Sequence, residues 1–257
     1  MSNSELRRAN SFMAAFARRA AARTVDVPGG FAAYDDAFAH SRADNQVVID
    51  AAVDGAVHAE SLTAIADEAL GHLPHRLISV LDDTVATACA EPLSRAGYTH
   101  STYLVMLHTG PVPAAGPAQE VDLDALRVPL ARRWRGFLPE ADDEVVRQLV
   151  ERREARRRGA EIVRFIGART QEGEVASWAD LYADPATGTA QIENLITSEA
   201  HLRRGYADAV LATALRQAAD SACGTRFLLA DAADWPHQWY ERRGFTVIGR
   251  SHCFERG

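Results

Sequence analysis

Two stretches near the C-terminus carry the residue types and spacings best suited to chemistry. In the first, Thr197-Ser198-Glu199-Ala200-His201-Leu202-Arg203-Arg204-Gly205-Tyr206-Ala207 leads into a regular helical pattern. Small residues and successive backbone N–H groups fall where a helix begins, and such an end binds phosphate oxygens without dedicated side chains. Gly205 permits close backbone approach, Ala207 limits crowding, and Arg203 or Arg204 can add charge-assisted hydrogen bonds. The plainer alternative is an ordinary helix N-terminus with a solvated arginine pair. In the second stretch, Asp234-Trp235-Pro236-His237-Gln238-Trp239-Tyr240-Glu241-Arg242-Arg243-Gly244-Phe245, proline opens a short helix and glycine closes it. Tyr240 then stands on a helix between two strands.

The elements that must position these residues follow from hydrophobic periodicity. It predicts helices over 61–70, 85–96, 131–137, 144–158, 203–219 and 236–243, and strands over 76–81, 102–108, 161–168, 175–182, 190–197, 226–229 and 245–252. Turn candidates at Glu172-Gly173 and 184–188 make the three middle strands an antiparallel meander. In the 144–158 helix, Val145, Val146 and Leu149 cover one face, so Arg152, Arg153, Arg156, Arg157 and Arg158 read as a mostly solvated one. Residues 1–23 have charges in every apolar run, which fits a frayed amphipathic helix and neither a signal peptide nor a membrane span. Pro111, Pro113 and Pro117, set among glycines and alanines, mark a break. The predicted organisation is a domain over 1–110, a linker over 111–118 and a second domain over 119–257.

Composition narrows the function classes. The 257 residues hold 28 Lys and Arg against 35 Asp and Glu, a formal net charge of -7, which weighs against a domain built to grip nucleic acid or an anionic membrane. Cys89, Cys223 and Cys253 are far apart and odd in number, so neither a disulfide framework nor a thiolate zinc site is expected, and the reading is a reducing, cytoplasmic environment. His72, His75 and the Asp82-Asp83 pair read as a helix-end and turn cluster rather than metal ligands. No heptad pattern sets an oligomeric state.

The two motifs, in this order, resemble those of the GNAT superfamily of acetyl-coenzyme A-dependent N-acetyltransferases. Members carry a pyrophosphate loop after the fourth strand and a late helix ending in a tyrosine-containing, glycine-phenylalanine segment. The resemblance runs over about 190–252 and rests on Arg204, Gly205, Tyr206, Ala207, Tyr240, Gly244 and Phe245. It departs at Leu202, where the family has Arg or Gln, at Arg203, where many members have glycine, and at Asp234, where many have asparagine. A fainter likeness of 76–107 to the latter half of the same fold suggests a tandem chain whose first domain is degenerate.

The resemblance implies an α/β fold with a mixed, mostly antiparallel central sheet flanked by helices, and acetyl-CoA as acetyl donor. It places the pantetheine arm on Asn194, Leu195, Ile196 and Thr197, and the pyrophosphate on Leu202, Arg203, Arg204, Gly205, Tyr206 and Ala207. Tyr240 becomes the general acid for the departing thiolate. The acceptor amine must be neutral when it attacks, so an acidic side chain or a water chain takes its proton, and Glu193 is the candidate base. Strand alternation equally explains Glu193 as a charge outside the core. Trp134 and Trp178 are candidate walls of an acceptor pocket and Asp180 a candidate amine ligand, each with core packing or an edge-strand face as its alternative. His201 could touch phosphate and His237 relay a proton, although an isolated histidine commonly does neither. The implied activity is direct acetyl transfer to a small-molecule or protein amine, with no metal, nucleic acid or membrane involved. The alternatives are a non-catalytic acyl-CoA sensor and an interaction protein on the same scaffold.

Overall fold

The computed structural model describes residues 2–50 and 59–257 and gathers the chain into two units, Met1–Met106 with Leu229–Gly257, and Leu107–Leu228. The N-terminal part of the first unit runs α1 (Ser2–Ala20), β1 (Arg23–Val27), β2 (Gly30–Tyr34), β3 (Gln46–Ile49), α2 (Ala59–Leu70), β4 (Arg76–Val80), α3 (Asp83–Arg95) and β5 (Thr99–His108). The two predicted strands and two predicted helices over 61–108 are all present. Strands β1 to β3 were not expected; β1 and β2 form a hairpin closed at Gly29, whose φ of 79° suits glycine. The α1 helix turns Phe12 and Phe16 inward and sets Ala14 against Phe31, Val48 and Leu81. It is a covering helix of its own unit, as its amphipathic pattern allows; Met1 lies outside the described residues.

The second unit contains β6 (Gln119–Val121), α4 (Leu123–Phe137), α5 (Asp143–Glu151), α6 (Arg153–Arg156), β7 (Ile162–Arg169), β8 (Val175–Asp184), β9 (Thr189–Thr197), α7 (Tyr206–Asp220) and β10 (Thr225–Asp231), the last shared with the first unit. The order across its sheet is β10-β9-β8-β7-β6. All pairs are antiparallel except β9 with β10, so the expected meander is present. Asp122 and Asp142 start α4 and α5 by accepting the N–H of Ala125 at 2.8 Å and of Val145 at 2.9 Å. These helices pack Leu126, Leu130, Val146 and Val150 on Phe165 and Trp178. Residues 111–118 were expected to be a free linker, but their end is bound to α7. The Thr213 hydroxyl donates to the Gly116 carbonyl at 3.1 Å, and a Cβ on Gly116 would lie 2.4 Å from the Ala209 carbonyl oxygen.

The chain then returns to the first unit with α8 (Pro236–Glu241) and β11 (Phe245–Arg256). Strand β11 pairs antiparallel with β4, from His252 opposite Val80 to Arg256 opposite Arg76, and the unit's sheet runs β1-β2-β3-β4-β11-β5. Phe254 joins Leu62, Leu70, Ile78, Cys89 and Leu93 in the core. This corrects the expected contiguous second domain over 119–257. The first unit buries β11 in its own core, so residues 229–257 fold with the N-terminal part.

Candidate functional site

The site begins where β9 stops being an ordinary strand. Its parallel ladder with β10 extends from Thr189 opposite Thr225 to Ile192 opposite Leu228 and ends there. On its other side Glu193 faces Asp180 and Ile196 faces Trp178, so Asn194 and Leu195 both oppose Ala179. That is a bulge, which bends the strand and re-aims its backbone groups. Asn194 takes a left-handed φ of 54°, a conformation asparagine tolerates better than most residues. Its amide donates to Asp180 Oδ2 at 3.0 Å, which holds the bulge from behind. Beyond it, the Ser177 hydroxyl donates to the Ile196 carbonyl at 2.8 Å and the Ser198 N–H to Ala176 at 2.9 Å, so the strand stays fastened to β8 as its β10 ladder ends.

Behind the bulge lies a polar cluster that sequence reasoning missed. Arg153, Arg156 and Arg152 are buried, which corrects their assignment to a solvated face. For Arg153 and Arg156, on α6, the physical reason is an acceptor for each charge. Arg153 Nε donates to Asp180 Oδ1 at 3.3 Å and Arg156 Nη1 to Glu193 Oε2 at 3.1 Å. The Tyr182 hydroxyl donates to Asp180 Oδ2 at 3.0 Å, and burial pushes the Tyr182 phenol well above its ordinary pKa, so it stays a donor. Asp180 therefore has three donors and a side chain with 0% exposure. It is a structural hub rather than an exposed amine ligand. Trp178 likewise sits in the core, not on an open wall, whereas Trp134 is only partly buried, with the Arg152 guanidinium 5.9 Å from its ring centroid. The Glu193 side chain keeps 31% exposure while paired to Arg156.

The segment after β9 makes a short 3-10 turn, Glu199–His201, and reaches α7 through two left-handed residues, Arg203 at φ 61° and Gly205 at φ 82°. Gly205 is the N-cap, and among the described residues no side chain caps the helix, so its first N–H groups are presented outward. A Cβ at Gly205 would meet nothing within 4 Å. Leu202, Arg203 and Arg204 are exposed, Leu202 by 53%, and Tyr206 and Ala207 are half-buried in the first turn. His201 is engaged elsewhere, its Nε2 3.3 Å from Glu174 Oε2 and its ring edge-on to Tyr206.

Tyr240 belongs to the first unit, on α8. It is 8% exposed, between the rings of Trp239 and Phe245 at 5.1 and 5.7 Å, and burial pushes its phenol up to about 12. Gly244, at φ 82°, turns the chain into β11. His237 Nδ1 lies 2.7 Å from the Asp234 carbonyl oxygen, which accounts for that ring locally. Among the described residues, no helix is long and apolar enough to cross a membrane, and no cluster of three or more His, Cys, Asp or Glu side chains could hold a metal ion.

A mixed, mostly antiparallel sheet flanked by helices, with a bulged strand running through an uncapped loop into a helix, defines an acyltransferase-like α/β fold. The model of the acetyltransferase (GNAT) family matches residues 129–245, so this segment is similar to that family. Solved structures are similar along most of the chain. One is a GCN5-related N-acetyltransferase from Kribbella flavida, at 19% identity and a TM-score of 0.59, covering 97% of this chain and 96% of that one. Another is a functionally unknown conserved protein from Staphylococcus epidermidis, at 12% identity and a TM-score of 0.65, covering 90% and 92%. A third is a GNAT-family acetyltransferase from Colwellia psychrerythraea, at 16% identity and a TM-score of 0.51, covering 88% and 81%. At these identities the likeness is one of fold. No curated protein matches the sequence.

Proposed function

We propose that the protein is an acetyl-CoA-dependent N-acetyltransferase that transfers an acetyl group to a primary amine of a small molecule or a protein by direct attack. The observation that carries this reading is the end of β9. Its ladder to β10 stops at Ile192, and the following residues run to an uncapped helix N-terminus beside Arg203 and Arg204. That arrangement fits a donor with an extended amide-bearing arm and a pyrophosphate. Asn194, Leu195, Ile196 and Thr197 would hold the arm, and Leu202, Arg203, Arg204, Gly205, Tyr206 and Ala207 the pyrophosphate.

Acetyl-CoA supplies an activated thioester and a thiolate leaving group. Glu193 is the proposed base, taking a proton from the acceptor ammonium, with Arg156 fixing its carboxylate at 3.1 Å. Tyr240 is the proposed proton donor; its phenol, held near 12, keeps its proton through neutral pH. Trp134 is the proposed acceptor wall, while Asp180 and Trp178 act through Asn194 and the core. The reaction is proposed to be cytoplasmic, consistent with Cys89, Cys223 and Cys253 standing outside any disulfide.

Binding without turnover, the sensor reading, is favoured by one observation: Glu193 Oε2 is already engaged by the buried Arg156. Calorimetric titration with acetyl-CoA, with Gly205→Glu alongside, followed by thiol release over a panel of amines, separates the readings. Saturable binding lost in the variant, with thiol release, supports the enzyme. Binding with no release from any amine favours the sensor, and no binding by the wild type overturns both.

A further inference from the structure

The proposed base stands on a face of the sheet that is rich in guanidinium groups. Residues directly paired on neighbouring strands point to one side, so Glu193 and Ile196 on β9 share a face with Asp180 and Trp178 on β8 and, through Asp180, with Phe165 on β7. Helices α4 and α6 of the second unit cover this face. Leu126, Leu130 and Trp134 of α4 pack with Phe165 and Trp178, and α6 brings Arg153 to Asp180 and Arg156 to Glu193. The Arg157 guanidinium lies 5.1 Å from the Phe165 ring centroid, and that of Arg152 lies 5.9 Å from the Trp134 centroid.

Three of these charges are matched from within the unit. Arg153 pairs with Asp180 at 3.3 Å, Arg156 with Glu193 at 3.1 Å and Arg157 with Glu154 at 3.1 Å. Arg133, beside Trp134 on α4, differs: among the described residues it has no ion pair and no hydrogen bond. Partial desolvation and then the like charge of Arg153 act against its guanidinium, and Glu199 acts on it through space alone. Its side chain reaches solvent, so a ligand can approach it. The neighbouring Trp134 indole N–H is buried with no acceptor among the described residues. A buried donor without an acceptor calls for an explanation. Here a guanidinium and an indole N–H from adjacent residues lack the same thing, an acceptor oxygen bearing negative charge.

We propose that the acceptor is an amine that also carries a carboxylate, and that Arg133 determines this specificity by binding the carboxylate while the amine meets Glu193. The inference rests on the acetyltransferase reading and adds a substrate class to it. An acceptor with positive charge alone, a polyamine above all, is repelled by a face where guanidinium groups already gather. A carboxylate matches the planar fork of a guanidinium bidentately. It also carries the single negative charge that one unpaired arginine calls for, whereas a phosphate monoester brings about −1.5 to −2. Trp134 Nε1 supplies a further donor on the same side. Arg133 is thus a specificity-determining residue, acting on substrate binding and away from the bonds that form and break.

The test is thiol release from acetyl-CoA by the full chain with matched acceptor pairs. Each member of a panel of α- and ω-amino acids is set against the amine left by removing its carboxyl group, and acetyl-CoA affinity is measured separately by calorimetry. The carboxylate-bearing members should be favoured in kcat/KM by about 10- to 100-fold, the usual worth of a hydrogen bond to a charged group. Arg133→Gln, a surface change that keeps the fold by far-ultraviolet circular dichroism, should remove that preference through KM rather than kcat and leave acetyl-CoA affinity unchanged. Arg133→Lys, which keeps the charge but not the fork, should restore only part of it. Equal thiol release from both members of every pair, or a preference that survives Arg133→Gln, overturns the proposal and leaves the acetyltransferase reading standing. Acetyl-CoA binding with no release from any carboxylate-bearing amine also overturns it, and no binding by the wild type overturns the reading and the proposal together.

Discussion

Arg203 occupies a backbone conformation that costs a residue with a side chain about 1–2 kcal/mol relative to glycine. The position where the resemblance leads one to expect glycine is thus one where φ favours it. Arg203→Gly should raise the unfolding free energy by about 1 kcal/mol or less, since glycine also gains freedom in the unfolded chain. If the guanidinium reads phosphate, the same change weakens acetyl-CoA binding; urea melts and calorimetry measure the two effects separately. Tyrosine protonation supplies a second test. Burial pushes Tyr103 and Tyr240 each up to about 12, from an ordinary value of 10.0. The folded state therefore keeps protons that the unfolded state loses, so the contribution to stability is intact below pH 10 and is lost as pH rises towards about 12. Tyr240→Phe should make the fall of the urea midpoint across that window shallower and remove one late step from the phenolate absorbance titration. At this scale the loop before α7 and Tyr240 could be singled out from the sequence because their signals are local. The buried arginines were readable only in part. Arg153 and Arg156 continue the stripe of Val146, Leu149 and Val150 at helical spacing, but their partners Asp180 and Glu193 are distant in the chain and give no local signal.

The element that matters most is the β8–β9 pair, whose bulge depends on a carboxylate buried with three donors. Asp180→Ala would leave the Arg153 charge, the Tyr182 hydroxyl and the Asn194 amide without their acceptor, and removing one partner of a buried ion pair costs about 3–5 kcal/mol. We expect a loss of that order in urea unfolding. Asn194→Gly, which keeps the left-handed backbone but drops the amide, should cost far less stability while lowering kcat in the proposed reaction; an unchanged kcat would remove the bulge from the mechanism. Most elements were legible because their apolar periods are strong, as in α7 with Val210, Leu211, Ala214 and Leu215 turned inward. Strands β1 to β3 were not; β1 is mostly exposed, and β2 opens on glycine and holds two alanines, so their residue types give a weak strand signal. The 144–158 pattern divides at Arg152, a turn residue after which the N–H groups of Ala155 and Arg157 bond carbonyls three rather than four residues back, a tightening that periodicity alone does not report.

The two units give the chain a non-sequential organisation, and it was the part least visible in the sequence. A proline-rich break is a local feature and did mark the neighbourhood of the first boundary, between Met106 and Leu107. The second boundary falls inside β10, between Leu228 and Leu229, with no compositional change to announce it. What assigns the last strand is a pairing between distant parts of the chain, β11 with β4, sealed by Phe254 at 0% exposure among side chains of α2 and α3. Phe254→Ala should therefore cost about 3–5 kcal/mol, the usual range for emptying a buried phenylalanine site. The decisive readout is where the loss is felt. In native-state hydrogen exchange, amides of α2, β4 and α3 should lose protection before those of β7 and β8, because the first unit owns the cavity. A contiguous domain over 119–257 predicts the reverse order, with β7 and β8 opening first, since Phe254 would then belong to their core.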